Sequence, residues 1–595
     1  MSTPHDAHTP ATPALGIAIA AAALPSLLAF NISPSPTFWN QALAFVLWAA
    51  FVAATAPTAA RGAGLLHAAL GILATAAAWT WLHGGLPAGQ ALSAIGTLAA
   101  AALLATGGAS AGASTKTWPG AETLFAAFCW AWVVAGALNV VVALVQVFAP
   151  DLPDGNWIAI SGIPGRAVGN LRQPNHLCSL LLWAVVAAVA LHELRWLPRA
   201  AGWPTALLVA VLVFAVELTA SRTGAAGLLL LLLWALLDRR LSTGARLMLG
   251  ATPLIYALSY ALMAVYGDFS HQALGAGARL GSEGLVEVGS ANSRLNIWAN
   301  TWALVVAQPW TGVGFGEFNI AWTLTPFVGR PTAFFDHSHN LPLQLAAELG
   351  LPLAALVLGL LAWALARGWR RATGQSGDAG TAGRAALVLL LLVGLHSLVE
   401  YPLWYAYFLL PAAFAWGLVL GLPSRSAASA RPPAGGGTAA PLAGALAGAL
   451  MLAGGALAVV DYLQVVVIYA PPPGSGSLQQ RIARGQRSLL FAHHADYAAA
   501  TNEMPAAARS LGFARAPHAL LDTRLMIAWA RQLNAQGHTD LARSLAQRLR
   551  EFGSVDTEAQ AFFAPCQGAA ASAFQCQPAQ VAHGWREFVA AARAR

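Results

Sequence analysis

Residues 334–350 read FFDHSHNLPLQLAAELG. His337 and His339 flank a serine, Asp336 precedes them, and Asn340 leads into a long apolar run. An imidazole exchanges a proton near neutral pH, so His339 has the chemistry to deprotonate a reacting hydroxyl. The N-terminus of the helix that follows draws anions through its free N–H groups. Asp336, His337 and His339 also read as an incomplete metal site, which no nearby Cys or Glu completes. His337 alternatively only lines the loop. A second set of groups is cationic: Arg166, Arg172, Arg222, Arg279, Arg294 and Arg330. Guanidinium is permanently charged and binds phosphate oxygens in pairs. A histidine beside arginines suits transfer chemistry on a phosphorylated substrate.

The elements that must position these groups follow from composition. Of 595 residues, 57% are hydrophobic and 9% charged. Apolar runs of roughly 18–25 residues are long enough to cross a bilayer, and in lipid they must be helical. The fold class expected is an all-α polytopic membrane bundle of 12–13 transmembrane helices. Spans are expected near 14–31, 40–57, 64–83, 90–107, 122–148, 174–193, 204–220, 223–239 and 246–266. Four more are expected near 342–366, 384–400, 403–421 and 441–461.

Residues 1–13 are polar and lack a basic n-region, which reads as a cytoplasmic tail rather than a signal peptide. With that end inside, Arg61, Lys116, Arg195, Arg199, Arg239, Arg240, Arg246, Arg367, Arg370, Arg371, Arg425 and Arg431 fall in cytoplasmic turns. The alternating loops NISPSPTFWN and HGGLPAGQ carry no Lys or Arg, as the positive-inside rule asks. The net charge of +8 is therefore a mark of membrane topology, not of a nucleic-acid partner. The same parity puts 149–173, the large loop 267–341 and the tail beyond 477 on the periplasmic side. The large loop should hold an amphipathic helix over 293–307 and a Pro/Gly turn, QPWTGVGFGEF, over 308–318. After the linker PPPGSGS, residues 478–595 read as a small helical domain. Within it, 525–553 is similar to one tetratricopeptide-like helix–turn–helix, with Gly537 at the turn. An oxidising compartment would let Cys566 and Cys576 pair, whereas Cys129 and Cys178 read as buried thiols.

These residues carry a family resemblance. The chain resembles the O-antigen ligase superfamily of bacterial inner-membrane enzymes, whose pattern is His, then Asn, Ser or Gln, nine residues, then Gly. Here it is His339, Asn340 and Gly350. Some forms of the pattern carry Gly, Thr or Tyr three positions later, where this chain has Leu353. GRAVGNLRQPNHL (165–177), SRTG (221–224), SRLNIW (293–298), QPWTGVGFGEF and HSLVEYPLWYAYFLLPAAFAWGL (396–418) look like further family segments. Together they cover most of 160–420. The resemblance implies en bloc transfer of a glycan from undecaprenyl pyrophosphate to an acceptor hydroxyl on the periplasmic face of the inner membrane. It implies no nucleotide sugar, metal or other cofactor. The acceptor is either a lipid A–core sugar or a Ser/Thr of a protein.

Fitted to that task, His339 is the base, and Arg222 and Arg294 neutralise the pyrophosphate. Arg166, Arg172, Asn175, His176, His337, Asn340 and Gly314 are the expected substrate contacts. One base and a single displacement imply inversion at the anomeric carbon. Glu317, Asp336 and Glu400 are the available carboxylates. Asp336 is placed to orient an imidazole, and Glu400 and Tyr401 are placed to close two spans. The alternatives are an O-antigen polymerase using two lipid-linked substrates, and a transporter or flippase for lipid-linked glycan. No internal repeat of the transporter kind is evident.

Overall fold

A computed structural model describes residues 12–58, 62–114, 121–197, 202–272, 274, 293–424, 439–553, 556–567 and 572–593. The expectations for residues 1–11, Arg61, Lys116, Arg199, Arg279, Arg425 and Arg431 lie outside them.

Each apolar run read as a span is helical, because within lipid only an internally bonded helix satisfies its own backbone. In chain order these are α1 (Thr12–Leu27), α2 (Phe38–Thr55), α3 (Gly64–Trp79), α4 (Ala88–Ala113), α5 (Ala121–Phe148), α6 (Pro174–Glu193), α7 (Gly202–Leu218) and α8 (Arg222–Leu237). The ninth run divides into α9 (Thr243–Gly250) and α10 (Thr252–Ser270). The large loop contributes α11 (Arg294–Ala307) and the short α12 (Phe318–Leu324). The bundle is completed by α13 (Leu341–Gly374), α14 (Gly377–Ser397), α15 (Ala406–Gly421) and α16 (Ala439–Tyr469). Among the described residues, nine helical stretches are long and apolar enough to cross a membrane; α1, α7, α8 and α15 are shorter apolar helices. The protein is a polytopic helical membrane protein. α13 and α16 run eight residues past their expected ends at 366 and 461.

Small residues set the closest approach in the bundle, as they do where lipid supplies no hydrophobic force between helices. α4 and α15 meet through two reciprocal glycine pairs. A Cβ at Gly108 would lie 2.0 Å from Phe414 O, and one at Gly417 would lie 2.0 Å from Ala105 O. Gly112 and Gly421 repeat this contact one turn on. α6, whose apolar residues leave no polar face, is buried along nearly its whole length against α5, α7 and α14.

Beyond α16 the chain forms α17 (Leu478–Gly485), α18 (Ala492–Thr501), α19 (Ala506–Arg515), α20 (Thr523–Ala535), α21 (Thr539–Glu551), α22 (Thr557–Phe563) and α23 (Trp585–Arg593). α20 and α21 turn at Gly537, whose φ of 85° suits glycine. Cys566 and Cys576 are joined, and Cys129 and Cys178 are buried free thiols. This domain does not hang on its linker. Trp529, Leu549, Phe552 and Phe588 share one apolar core with Phe318, Trp322, Leu345 and Leu349. It therefore packs directly over the large loop and the start of α13.

Candidate active site

Four helices begin at one end of the bundle, each with a polar side chain capping its first turn. Gln173 accepts from Asn175 N at the start of α6, and Ser221 accepts from Gly224 N at α8. Ser293 accepts from Asn296 N at α11, and Asn340 accepts from Leu343 N at α13. Side-chain bonds tie these four starts together. Asn175 Nδ2 donates to Glu400 Oε1 (3.0 Å), and Ser221 Oγ donates to Asn175 Oδ1 (2.6 Å). Arg294 Nη2 donates to Glu400 Oε1 (2.5 Å). Asn340 Nδ2 donates to Leu398 O (2.9 Å), fastening the start of α13 to the end of α14.

The hub is Glu400, in the turn between α14 and α15. Its second oxygen lies 2.8 Å from His339 Nδ1. The Glu400 side chain is 5% exposed, against 16% for His339 and 30% for Arg294. Burial pushes the carboxyl pKa up, but the hydrogen bond and charge of His339 and the charge of Arg294 outweigh it, leaving about 2. An ionised carboxylate only accepts, so Nδ1 must carry the proton it shares with Glu400. Nε2 is then the basic nitrogen of the neutral ring. His339 also sits at φ 55°, a left-handed conformation costly for a side chain with a Cβ. Its neighbours hold it there: Ser338 N donates to Gln344 Oε1 (2.7 Å) and Ser338 Oγ donates to Asn340 O (2.9 Å).

Of the three groups expected to do chemistry, His339 and Arg294 share one carboxylate. Arg222 begins α8 immediately after Ser221, which joins the same network through Asn175. The other expected contacts divide. Asn175 and Asn340 belong to the network. His337 lies beside it, stacked on Tyr401 at 4.3 Å, with Nδ1 2.8 Å from Asp336 Oδ1. Asp336 thus faces His337, and the carboxylate against His339 is Glu400.

Arg166, Arg172 and His176 are turned elsewhere. Arg166 is buried and donates to the carbonyls of Thr219 (2.7 Å) and Ala220 (3.4 Å), bracing the turn that presents Ser221 and Arg222. Arg172 donates to Ala29 O (2.5 Å) and Pro36 O (3.4 Å), pinning the α1–α2 loop. His176 is enclosed, with Nδ1 3.1 Å from Tyr407 Oη. Arg330 is buried over Trp322, Phe327 and Phe552, beside Glu551 of α21.

Gly314 is one step removed. Its turn is a brace for α13 rather than a wall of the cluster. α13 breaks at Gly350 (φ 75°), and Pro352 has no N–H to offer. Carbonyls freed by the break are taken by the turn: Val313 N donates to Ala347 O (2.8 Å), and Gly314 N to Glu348 O (3.0 Å). Leu351 N returns a bond to Pro309 O (2.7 Å). A Cβ on Gly350 would fall 2.5 Å from the Trp310 carbonyl, and one on Gly312 would fall 2.5 Å from that of Glu348. The brace continues into the C-terminal domain, where His518 Nδ1 lies 2.6 Å from Glu317 Oε2 and both side chains are 2% exposed.

Sequence reasoning missed two roles. The sequence reads Glu400 as closing a span; its signal is a carboxylate three residues past the end of α14, in the turn between two apolar runs. Glu317 reads as an available carboxylate, and no local pattern names its partner 201 residues away. Among the described residues no group of three His, Cys, Asp or Glu side chains is gathered as metal ligands.

Comparison with known proteins adds to this geometry. Residues 207–358, which hold Arg222, Arg294, His339 and Gly350, match the family model described as O-antigen ligase. Residues 384–564, with Glu400 and much of the C-terminal domain, match a virulence factor membrane-bound polymerase, C-terminal, model. Residues 167–192 match a protein glycosylation ligase model. The chain is 29% identical over 277 residues to a general O-oligosaccharyltransferase of Acinetobacter baylyi, covering 44% of this chain and 46% of that protein. It is 24% identical over 313 residues to a ComP-specific O-oligosaccharyltransferase of the same organism, covering 50% of this chain and 52% of that protein. The matches thus span about half the length of each relative.

Proposed function

For a chain that belongs to the O-antigen ligase superfamily, we propose glycan transfer from undecaprenyl pyrophosphate to a serine or threonine hydroxyl of a protein, without a metal ion and with inversion. The reaction takes place at the periplasmic face of the inner membrane. The observation that carries this reading is Glu400 bridging His339 Nδ1 and Arg294.

His339 Nε2 takes the hydroxyl proton as the oxygen attacks the anomeric carbon. The new C–O bond forms as the bond to pyrophosphate breaks, and the leaving group departs as undecaprenyl pyrophosphate. Glu400 fixes the ring and stabilises the imidazolium that forms, a function carboxylates serve behind catalytic histidines. Arg294 and Arg222 face the charge growing on the leaving pyrophosphate, aided by the positive ends of α8, α11 and α13. Water kept out of this site cannot compete with the hydroxyl, and the large loop with its C-terminal covering serves that end. The protein acceptor is favoured over a lipid A–core sugar because both relatives are named O-oligosaccharyltransferases and a protein glycosylation ligase model matches.

The test uses full-length protein in nanodiscs, an undecaprenyl-pyrophosphate-linked oligosaccharide and a serine-containing polypeptide. His339→Ala should bind donor normally and lose transfer about 10²–10⁴-fold. Transfer by this variant at the parent rate would remove the base. The anomeric configuration of the product, read by NMR, checks inversion, and unchanged rates in chelator check the metal-independent step. The polymerase match favours one second reading, in which the acceptor is another lipid-linked glycan. Glycan ladders formed from donor alone would select it.

A further inference from the structure

Beside the catalytic cluster lies a cavity of about 1030 Å³ between α2, α4, α16 and the C-terminal domain. Asp336 and Ala406 stand at its head, which joins it to the loop carrying His339 and to the start of α15. Its walls descend well below that end. Phe45 lies seven residues into α2, Gly96 eight into α4, and Gly454 fifteen before the end of α16. At 1.5 Å per residue these are depths of about 10, 12 and 22 Å.

The lining decides what belongs there. Among the described lining residues there is no Lys or Arg, and the carboxylate at the head is Asp336. His493 and His494, on the C-terminal side, are held by burial below the ordinary value, at about 4 and about 2, so they add no cation. A pyrophosphate or phosphorylated glycolipid head would find no cation among these lining residues. The membrane-depth wall carries small residues with room before them: Gly96 and Gly454 have nothing within 4 Å of an added Cβ. Small-residue walls let another helix approach closely in lipid. Nearer the head the lining turns to uncharged hydrogen-bonding groups, among them Gln41, Gln90 and Ser93.

We propose that this cavity is the acceptor's docking site, seating the apolar membrane-anchoring helix of a polypeptide whose next residues bring a Ser or Thr past Asp336 to His339. This rests on the protein-acceptor reading above. The membrane anchor holds the acceptor hydroxyl at the level of the base, converting a search through the periplasm into one along the membrane.

The experiment takes full-length protein in nanodiscs and a synthetic polypeptide in which an uncharged transmembrane helix is followed by a serine-containing tail. Gly96→Leu and Gly454→Leu add bulk into open space and raise helix propensity, so the fold should survive. Each should raise the KM for the anchored polypeptide tenfold or more. The KM for the lipid-linked donor, and for the serine tail without its helix, should stay as in the parent. An equal rise in donor KM would assign the cavity to the donor's lipid chain and overturn the proposal, as would an anchored-acceptor KM left unchanged. Binding is read apart from turnover by placing benzoylphenylalanine at Leu457, a lining residue 53% exposed, in the His339→Ala background. A crosslink to the anchored polypeptide supports the site even where transfer chemistry fails. A crosslink confined to the donor, or none at all, refutes it.

Discussion

Replacing Glu400 by Gln is the sharpest test of the catalytic geometry. The amide keeps the shape of the carboxylate and can still accept from Arg294 and Asn175, so packing is preserved. What it loses is the charge behind His339 and, because the amide nitrogen that replaces Oε2 cannot accept, the bond that keeps the proton on Nδ1. The Glu400 oxygen lies 2.8 Å from Nδ1, placing the charge centres about 4 Å apart. At an effective dielectric of about 20, that attraction is about 4 kcal/mol for the imidazolium formed during transfer. The imidazole is 16% exposed, and water on that side reduces the figure to about 2–4 kcal/mol. Turnover should therefore fall roughly 30- to 1000-fold. Donor binding should move the other way or not at all, because Arg294 loses the anion that now neutralises it. The assay is initial transfer rate with donor varied at saturating acceptor, with thermal unfolding as the check on folding. Turnover within threefold of the parent, or a loss lying wholly in donor KM, would show that Glu400 only closes the bundle.

Three further outcomes follow from the same contacts. Glu400 titrates at about 2 against an ordinary 4.5, so its contribution to stability is complete above about pH 4.5 and is lost as pH falls toward 2; between about pH 5 and 3 the parent should lose more Tm than Glu400→Gln, and parallel curves would contradict the ion pairs. Gly350→Ala forces a side chain onto a left-handed residue, at about 1–2 kcal/mol, and drives its Cβ into the Trp310 carbonyl. Both Tm and transfer rate should drop, and a variant matching the parent in both would dissolve the brace. His518→Ala leaves the buried Glu317 carboxyl without its partner, costing about 3–5 kcal/mol; proteolysis in the 471–477 linker should accelerate, whereas the double replacement by leucine should recover much of the resistance.

The sequence made the helices legible because lipid leaves the backbone no alternative, and the apolar runs are long and uninterrupted. Polar groups at the ends of such helices are few, so His339, Arg294, Asn175 and Asn340 stand out in the chain, and the structure gathers them around Glu400 and the end of α14. Arg166 and Arg172 stand out for a related reason. A cation near an apolar helix end looks like an anion site, yet both chelate backbone carbonyls in turns, Thr219 and Ala220 for one, Ala29 and Pro36 for the other. Charge and position in the chain are the same in the two uses, and only the direction of the side chain separates them. Glu400 was hidden by the opposite bias. It looked like an ordinary end of α14, and its partners come from three other helices.

The spacing between His339 and Gly350 acquires a mechanical meaning from this arrangement. His339 is held at φ 55° before α13, and Gly350 breaks that helix at φ 75°. Between them lies one straight stretch, Leu341 to Gly350, about 14 Å long at 1.5 Å per residue. Its upper end is fixed by Asn340 to α14, and its lower end by Val313, Gly314 and Pro309 of the large-loop turn. Adding or removing one residue would rotate the two ends by about 100° relative to each other. The base would then turn away from Glu400, or the broken carbonyls away from the turn. Since Glu317 in that turn pairs with His518, the same stretch links the C-terminal domain to the imidazole. The fixed count of residues is thus a distance and an angle held between two clamps.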